Sequence, residues 1–357
     1  DLTPLTSQMI ASDCCGIDFS PTPTLSVTST HTPTTTQTIT VTLSNTVTPT
    51  ITPTNTSTPS ITPTNTVTNT VTPTATPTYG LLWTPRESNR TWIGITSSSD
   101  GTKLAAIDNG GQIYISSDSG VNWTARDSNR NWSAITSSSD GTKLAAVVAN
   151  GQIYTSTDSG VSWTARDSNR NWTFITSSSD GTKLAATVHA GQIYTSTDSG
   201  VSWTARESGR GWWGIASSSD GNKIVAVDGG GQIYTSTNSG VSWTARDSNR
   251  DWYAIASSSD GTKLAAVVQN GQIYTSTNSG VSWTARESNR FWYGIASSSD
   301  GTKLVAITYG QKIYTSSDSG VSWTVQASNR DWYNVTCSSD GNKIAAVVLN
   351  GQIYLNY

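Results

Sequence analysis

A 40-residue unit repeats through the C-terminal part of the chain without an insertion or a deletion. Seven copies fill positions 78–357. Two tryptophan series keep this period: Trp92, Trp132, Trp172, Trp212, Trp252, Trp292 and Trp332, and Trp83, Trp123, Trp163, Trp203, Trp243, Trp283 and Trp323. A repeat of this length is typical of a solenoid or a propeller.

Each copy predicts four short strands. In the copy that begins at Trp252, Asp-Gly, Asn-Gly and Ser-Gly pairs separate segments that are rich in β-branched and aromatic residues. Such segments favour strands over helices. The seven copies therefore predict an all-β fold, a seven-bladed β-propeller with four strands per blade. An open β-solenoid is the alternative.

The phase of the repeat predicts how the ring closes. Residues 81–84 match the fourth strand of the repeat, and the last residues, up to Tyr357, match the third strand. The last blade would then take its outer strand from the start of the propeller, which leaves no unpaired edge. We expect residues 81–357 to form this propeller, closed by an N-terminal outer strand.

A Ser-x-Asp-x-Gly-x-x-Trp motif marks the hairpin between the third and fourth strands, as in Ser156, Asp158, Gly160 and Trp163. Its acidic or amide position is Asp118, Asp158, Asp198, Asn238, Asn278 and Asp318. The motif resembles the Asp-box (BNR repeat) of sialidase-like β-propellers. That resemblance implies architecture and not catalysis, because the Asp-box of those proteins lies opposite the active site. We expect the side chain to bond its own turn and the glycine to adopt a positive φ.

The sequence offers no set of residues for an enzyme. Every arginine occupies one of two repeated positions, as Arg166 and Arg170 do, so the unique arginine triad of a sialidase is missing. The two histidines, His31 and His189, have no metal-spaced cysteine or histidine partners. We expect a non-enzymatic protein with no catalytic residues, no metal and no cofactor. The acid three residues before the second arginine, such as Asp167, indicates a structural pair.

Differences between the copies concentrate near the first tryptophan and at the turn between the second and third strands. In an up-and-down blade both places lie on the same face. This pattern predicts either relaxed drift of exposed loops or a contact surface, since aromatic residues are enriched at interfaces. The candidate residues of this surface are Trp213, Tyr253, Phe291, Tyr293, Tyr309, Tyr333 and His189.

A Thr/Pro-rich segment precedes the repeats. From Ser20 to Thr78, every even-numbered residue is Ser or Thr, and proline recurs at odd positions. Strict alternation indicates an extended chain, while the prolines argue against a central sheet strand and favour polyproline-like or isolated extended geometry. We expect residues 20–80 to form an extended stalk, and residues 1–19 a docking segment. The stalk would be disordered and mucin-like, or held straight by glycans and other chains.

The stalk also carries the predicted glycosylation sites. Its hydroxyls are candidates for O-glycosylation, and the Asn55-Thr56-Ser57 triplet is a candidate for N-glycosylation. The O-glycosylation candidates are Thr22, Thr34, Thr50, Thr62 and Thr74.

Charge argues against nucleic-acid and membrane partners. No Asp, Glu, Lys or Arg occurs between Phe19 and Leu82, and the repeats carry equal numbers of acidic and basic residues. No apolar run is long enough to span a bilayer. Because the chain begins at Asp1, we expect that a signal peptide was removed and that the protein is secreted to the extracellular space or cell surface.

The chain has three cysteines, Cys14, Cys15 and Cys337, and Cys337 stands where the other repeats have serine. An odd number in a secreted chain suggests a free thiol or a bond between chains. Cys337 is therefore either a small buried apolar side chain or a cross-link to Cys14 or Cys15.

Two functions fit these features. The first is a structural subunit of an extracellular filament or surface appendage, in which the glycosylated stalk mediates assembly and propellers pack along or decorate the shaft. Its partners would be other copies of the chain, covalent glycans and other extracellular glycoproteins. The alternative is a lectin-like adhesin with a multivalent glycan-binding head on a mucin-like stalk.

Overall fold

The structure, a computed structural model, describes residues 83–357 and two short strands nearer the N-terminus, β1 (Thr24–Ser29) and β2 (Gln37–Thr42). The chain divides into two units, Asp1–Thr78 and Tyr79–Tyr357. All regular secondary structure in the described residues is β.

Strands β1 and β2 form an antiparallel pair in the first unit. Thr24 lies opposite Thr42, and Ser29 lies opposite Gln37. Neither strand contains proline, so every residue keeps a backbone N–H that can donate to the ladder. The pair differs from the isolated extended geometry expected for the stalk. The rest of the 20–80 stalk prediction and the 1–19 docking prediction lie outside the described residues.

The strands of the second unit follow the 40-residue period. They are β3 (Thr84–Arg90), β4 (Trp92–Ser97), β5 (Leu104–Asp108), β6 (Ile113–Ser116), β7 (Thr124–Arg126), β8 (Trp132–Ser137), β9 (Leu144–Ser156), β10 (Thr164–Ser177), β11 (Leu184–Gly191), β12 (Ile193–Ser196), β13 (Thr204–Ala205), β14 (Arg210–Ser217), β15 (Ile224–Asp228), β16 (Ile233–Ser236), β17 (Thr244–Arg246), β18 (Trp252–Ser257), β19 (Leu264–Ser276), β20 (Thr284–Ser297), β21 (Leu304–Thr308), β22 (Ile313–Ser316), β23 (Thr324–Val325), β24 (Trp332–Cys337), β25 (Ile344–Val348) and β26 (Gly351–Asn356).

Successive strands within a repeat pair antiparallel, and some predicted strands fuse. β4 to β7 form a four-stranded sheet in chain order, and β18 to β23 form a six-stranded one. The long strand β10 contains the fourth strand of one repeat and the first strand of the next. It remains continuous because Arg170 pairs with Gly151 and Asn171 with Ala149, which extends the ladder across the turn.

The last repeat pairs with the first strand of the unit. β24, β25, β26 and β3 form one sheet in that order, with Tyr354 opposite Pro85 and Leu355 opposite Thr84. One apolar cluster then joins this sheet to the first repeat, where Trp92 and Leu104 pack with Val347 and Leu355.

Backbone hydrogen bonds also return from the last repeat to the first. The turn between the first and second strands has a serine immediately before its Asp-Gly pair, such as Ser99. The backbone N–H of this serine donates to the carbonyl of the equivalent serine in the next repeat, at 2.7–2.8 Å. The series closes when Ser339 donates to Ser99 at 2.7 Å. Its members are Ser99, Ser139, Ser179, Ser219, Ser259, Ser299 and Ser339.

The core lies between neighbouring repeats and is built on the first tryptophan series. These indoles are at most 1% exposed. They contact tyrosine rings of the third strand edge-on; for example, the ring centroids of Trp172 and Tyr194 are 5.2 Å apart. Trp203, of the second series, is only half-buried and donates to the Gly200 carbonyl of its own hairpin at 3.0 Å. Only the first series is therefore fully buried in the core.

Register places the turns at two ends of the sheets. Trp212 lies opposite Asp228, and at the other end of the same pair Ser217 lies opposite Ile224. The start of the first strand and the turn between the second and third strands therefore share one end, here called the variable end. The hairpins that carry the Ser-x-Asp-x-Gly-x-x-Trp motif lie at the opposite end, here called the Asp-box end after the motif they resemble.

Candidate functional site

Four consecutive repeats place an aromatic residue immediately after the buried tryptophan, and these rings contact one another at the variable end. Trp213 stacks on Tyr253 with centroids 5.3 Å apart and an interplanar angle of 23°. Tyr253 lies 4.4 Å from Tyr293, which lies 4.8 Å from Tyr333. These separations are typical of attractive aromatic pairs. The four residues form a continuous row across neighbouring repeats.

Three further rings extend this row. Tyr309 lies 5.4 Å from Tyr293 and 6.1 Å from Phe291, between centroids. His189 is exposed and meets Trp213 edge-on at 5.6 Å. The structure thus brings together every candidate of the predicted contact face. We call the set Trp213, Tyr253, Phe291, Tyr293, Tyr309, Tyr333 and His189 the aromatic array.

The other repeats have smaller residues at the same first-strand position. These residues are Ile93, Ser133 and Thr173, and Ile93 is buried. The Ser133 hydroxyl donates to the Thr173 carbonyl at 2.9 Å, so it is satisfied within the protein. The first-strand row is therefore confined to one sector of the unit and forms a single asymmetric surface.

Burial governs the chemistry of the tyrosines in the array. It raises the pKa of the Tyr253, Tyr293 and Tyr333 hydroxyls well above the usual value. The hydroxyls therefore stay protonated at ordinary pH and can donate hydrogen bonds. His189 is exposed, and the other six rings of the array are partly buried. The array therefore presents apolar ring edges and neutral tyrosine hydroxyls at the surface.

Gly229 makes room for Trp213. A Cβ at position 229 would lie 2.3 Å from Cδ1 of the indole, so a larger residue would displace the ring. The neighbouring Asp228 carboxyl is partly desolvated, and this burial raises its pKa although Arg210 opposes the shift. Asp108, the equivalent residue of the first repeat, accepts a hydrogen bond from the Thr91 N–H at 3.1 Å, and burial raises its pKa as well.

The Asp-box residues stabilise hairpins at the opposite end. Asp158 accepts from the Ser162 N–H at 2.9 Å and from the Ser162 hydroxyl at 2.6 Å. Gly160 has a φ of 82°, and the Trp163 indole donates to its carbonyl at 3.1 Å. The same hydrogen bond, from the backbone N–H four residues later to the side-chain oxygen, recurs at Asp118, Asp198, Asn238, Asn278 and Asp318. These side chains are turn elements, as their sequence pattern predicted.

The arginines at the variable end are also structural. Arg170 pairs with Asp167 at 3.4 Å, and its guanidinium carbon lies 4.4 Å from the centre of the Tyr194 ring. Six such ion pairs occur among residues 83–357, which confirms the predicted structural pair. The same cation–π contact, at 4.1–4.7 Å, is made by Arg90, Arg130, Arg170, Arg210, Arg250, Arg290 and Arg330.

Within residues 83–357, no three His, Cys, Asp or Glu side chains come together as a metal site. None of the described residues belongs to a helix long and apolar enough to cross a membrane.

Cys337 packs with the apolar cluster that contains Val305 and Trp332, and it forms no disulfide among the described residues. Burial raises the pKa of its thiol to about 12. This environment agrees with the packing role predicted for it. Its proposed partners, and the candidate glycosylation sites, lie outside the described residues: Cys14, Cys15, Thr22, Thr34, Thr50, Asn55, Thr62 and Thr74.

Comparison with known proteins finds similar folds and no family. No protein-family model matches the chain, and no curated protein matches its sequence. The chain is similar to YCF48 from Cyanidioschyzon merolae, with 16% identity and a TM-score of 0.61, over 77% of this chain and 98% of that one. It is equally similar to the β-propeller domain of Cps50 (Swd1) from Myceliophteria thermophila, with 14% identity and a TM-score of 0.62, over 77% and 99% of the two chains.

The chain folds as a β-propeller. A structure of YCF48 bound to a D1 peptide matches too, with 17% identity and a TM-score of 0.62, over 77% of this chain and 96% of that one. At these identities the likeness concerns the fold alone.

Two residues that shape this propeller were not predicted from the sequence. Gly229 lies in the turn between the second and third strands, and its signal is a glycine in the same repeat as the bulky Trp213. The signal of Ile115 is that the other full repeats have threonine at that position.

Proposed function

We propose that this protein is a non-enzymatic structural subunit of an extracellular filament or surface appendage. The aromatic array of one copy would bind the uncharged, glycosylated Thr/Pro-rich segment, residues 20–80, of another copy. Such a contact joins two different surfaces of the same chain, so it propagates from copy to copy instead of ending at a dimer. Propellers would then pack along a shaft built from the Thr/Pro-rich segments.

For the propeller itself we propose seven blades closed by the outer strand β3. Three features support closure: the pairing of β26 with β3, the apolar cluster between the last and first repeats, and the serine bonds that return to Ser99. A closed ring leaves no sheet edge for uncontrolled pairing. It would give the subunit a rigid body with two distinct ends.

The observation that carries the proposal is the aromatic array. Elsewhere the repeats are nearly identical, yet at the variable end seven aromatic side chains from neighbouring repeats contact one another. Partly exposed, clustered aromatic rings are typical of interface anchors. The array therefore supports a specific contact and argues against drift of exposed loops.

The chemistry of residues 20–80 matches this surface. The segment has proline, valine and isoleucine among its threonines and contains no charged residue. Proline-rich chains dock on aromatic-lined surfaces because their extended form is already ordered before binding. A surface of apolar edges and neutral tyrosine hydroxyls suits such a chain better than it suits a charged ligand.

The lectin-like alternative gains less support. Multivalent binding by equal blades needs a similar site in each repeat, whereas the first-strand row occupies one sector and has Ile93, Ser133 and Thr173 elsewhere. YCF48, a β-propeller of similar fold, has been solved bound to a D1 peptide, so peptide binding by this fold has a precedent.

The test compares self-association of the full chain with that of an array variant. Phe291→Ala combined with Tyr309→Ala removes two rings from the rim of the array. We expect sedimentation velocity to show large assemblies for the natural chain and mostly monomers for the variant. The matched control, Val281→Ala with Val321→Ala, changes two side chains at the Asp-box end that are each 60% exposed. It should assemble as the natural chain does.

Assembly of the array variant at natural strength would contradict the proposal. Binding of free oligosaccharides by the natural chain without self-association, lost in the array variant, would favour the lectin-like alternative.

A further inference from the structure

A cavity at the Asp-box end, between the first and second repeats, is far larger than its equivalents. It measures about 200 Å³, whereas the corresponding spaces beside Thr155, Thr235 and Thr275 measure about 10 Å³ each. A cavity of roughly 150 Å³ holds a benzene molecule. The space beside the first repeat is therefore large enough for a small organic ligand.

The residue at one position accounts for the difference. In four repeats an arginine Nε of the fourth strand donates to a threonine hydroxyl of the third strand, as Arg166 does to Thr155 at 3.0 Å. In the first repeat Ile115 replaces that threonine, and the buried Nε of Arg126 has no partner among the described residues. The cavity extends to Arg126 here, while the arginines of the tight repeats do not line their spaces.

A second repeat shows the same loss of a partner for the arginine. Leu355 occupies the same position in the last repeat, and the buried Nε of Arg86 again has no partner in the described part of the chain. Gln326, which replaces the arginine in another repeat, donates instead to Thr315 at 2.8 Å. Wherever the third strand has this threonine, its hydroxyl thus accepts a hydrogen bond from the arginine or glutamine side chain of the fourth strand.

The lining combines an apolar wall with positive charge. Leu104, Ile115, Leu144 and Val161 supply the apolar side chains, and Lys103 and Arg126 supply the charge. No carboxylate lines the cavity, and Arg126 has no ion pair within residues 83–357. A buried donor without a partner is costly, so an acceptor placed there is favoured.

We propose that this cavity binds a small carboxylate with an apolar body. The carboxylate would accept hydrogen bonds from Arg126, with Lys103 adding to the positive potential, because arginine binds carboxylates with charge-assisted bonds. The apolar body would fill the space beside Ile115 and Leu144. The site lies at the opposite end of the propeller from the aromatic array and does not depend on it.

Calorimetric titration of the full chain with benzoate tests the proposal, and benzyl alcohol serves as a neutral probe of nearly the same shape. We expect one saturable benzoate site per chain, at least tenfold tighter than any binding of benzyl alcohol. Equal affinity for the two probes, or no benzoate binding, would overturn the proposal.

Variants taken from other repeats locate the site without disturbing the fold. Ile115→Thr restores the bond seen at Arg166, and Arg126→Gln copies Gln326; each should weaken benzoate binding at least tenfold. Thr155→Ile should open a second site and raise the stoichiometry to two. Unchanged affinity in the first two variants, or unchanged stoichiometry in the third, would contradict the role assigned to this position.

Discussion

The hairpin between the third and fourth strands has an aspartate in some repeats and an asparagine in others. The chain therefore allows the carboxylate and the amide to be compared in the same turn. Asp158 accepts both the Ser162 N–H and its hydroxyl. Asn278 accepts the Ser282 N–H at 2.9 Å, but its Nδ2 donates to the Ser282 hydroxyl at 2.9 Å. The two side chains therefore make equivalent turns, and only the carboxylate can titrate.

Replacing Asp158 and Asp198 by Asn should make folding less sensitive to acid. Hydrogen bonds from Ser162 and Ser202, respectively, hold the pKa of these carboxyls at about 2, against about 3.9 in an unfolded chain. Because the folded-state pKa is depressed, the stability is present above pH ~4 and is lost as pH falls towards ~2.

Thermal unfolding at several pH values between about 5 and 2 measures this effect. The Asp158→Asn, Asp198→Asn variant should lose less stability on acidification than the natural chain. The reverse pair, Asn238→Asp with Asn278→Asp, should lose more. Parallel curves for all three proteins would show that these carboxylates do not control acid unfolding.

Among the elements, the first strand of each repeat carries the packing that holds neighbouring repeats together. Trp172 is fully buried on this strand and contacts Tyr194 edge-on, whereas Trp203 on the outer part of the same repeat is half-buried. The two series differ because the inner indole is covered by strands of two neighbouring repeats, whereas the outer one covers its own hairpin.

Truncating these two tryptophans should separate their contributions. We expect Trp172→Ala to lower the free energy of unfolding by about 3–5 kcal/mol, since a large cavity would form in the core. Trp203→Ala should cost clearly less, because part of its surface already contacts water. Chemical denaturation with circular dichroism measures both. Equal losses would mean that the second series belongs to the core after all.

Sequence periodicity predicted the strands, the Asp-box turns and the pairing of the last repeat with the start of the unit, since each depends on local residues and on one 40-residue period. It did not predict that strands such as β10 run through a turn, because that depends on pairing across the turn. Nor could it give the contacts of the aromatic array. Tyr293 and Tyr333 contact each other only because neighbouring repeats pack side by side with their equivalent positions adjacent.

The structural effects of single substitutions between repeats could not be predicted from the sequence either. Ile115 is a conservative-looking strand residue in sequence, yet it leaves Arg126 without the hydroxyl that the equivalent arginines bond. This consequence follows from a diagonal contact between two strands, which no single-strand pattern shows. The sequence pattern did not predict the β1–β2 pair, because proline recurs through the Thr/Pro-rich segment as a whole, while these two strands contain none.

At the scale of the whole molecule, closure decides whether the repeats act as one body. Each apolar cluster combines residues of two neighbouring repeats, and the cluster around Trp92 joins the first repeat to the last. No repeat can therefore bury its apolar faces alone. The sheet that contains β26 depends on β3 for its fourth strand.

Removing β3 should weaken the whole propeller. A chain that begins at residue 91 lacks this strand and leaves Tyr354 and Leu355 without their backbone partners. Losing about four ladder hydrogen bonds at about 1 kcal/mol each, with the apolar surface they cover, should lower the unfolding temperature by roughly 10 °C. The exposed strand edge should also promote aggregation, because unpaired edges template pairing between molecules.

The matched control is a chain that begins at Tyr79, at the boundary of the second unit, and keeps β3. Differential scanning calorimetry with light scattering should find it as stable as the natural chain and free of aggregation. If both truncations lowered the unfolding temperature equally, stability would come from the N-terminal segment and not from closure. If neither did, the ring would be held by its side-chain clusters alone, and the pairing of β3 with β26 would be dispensable.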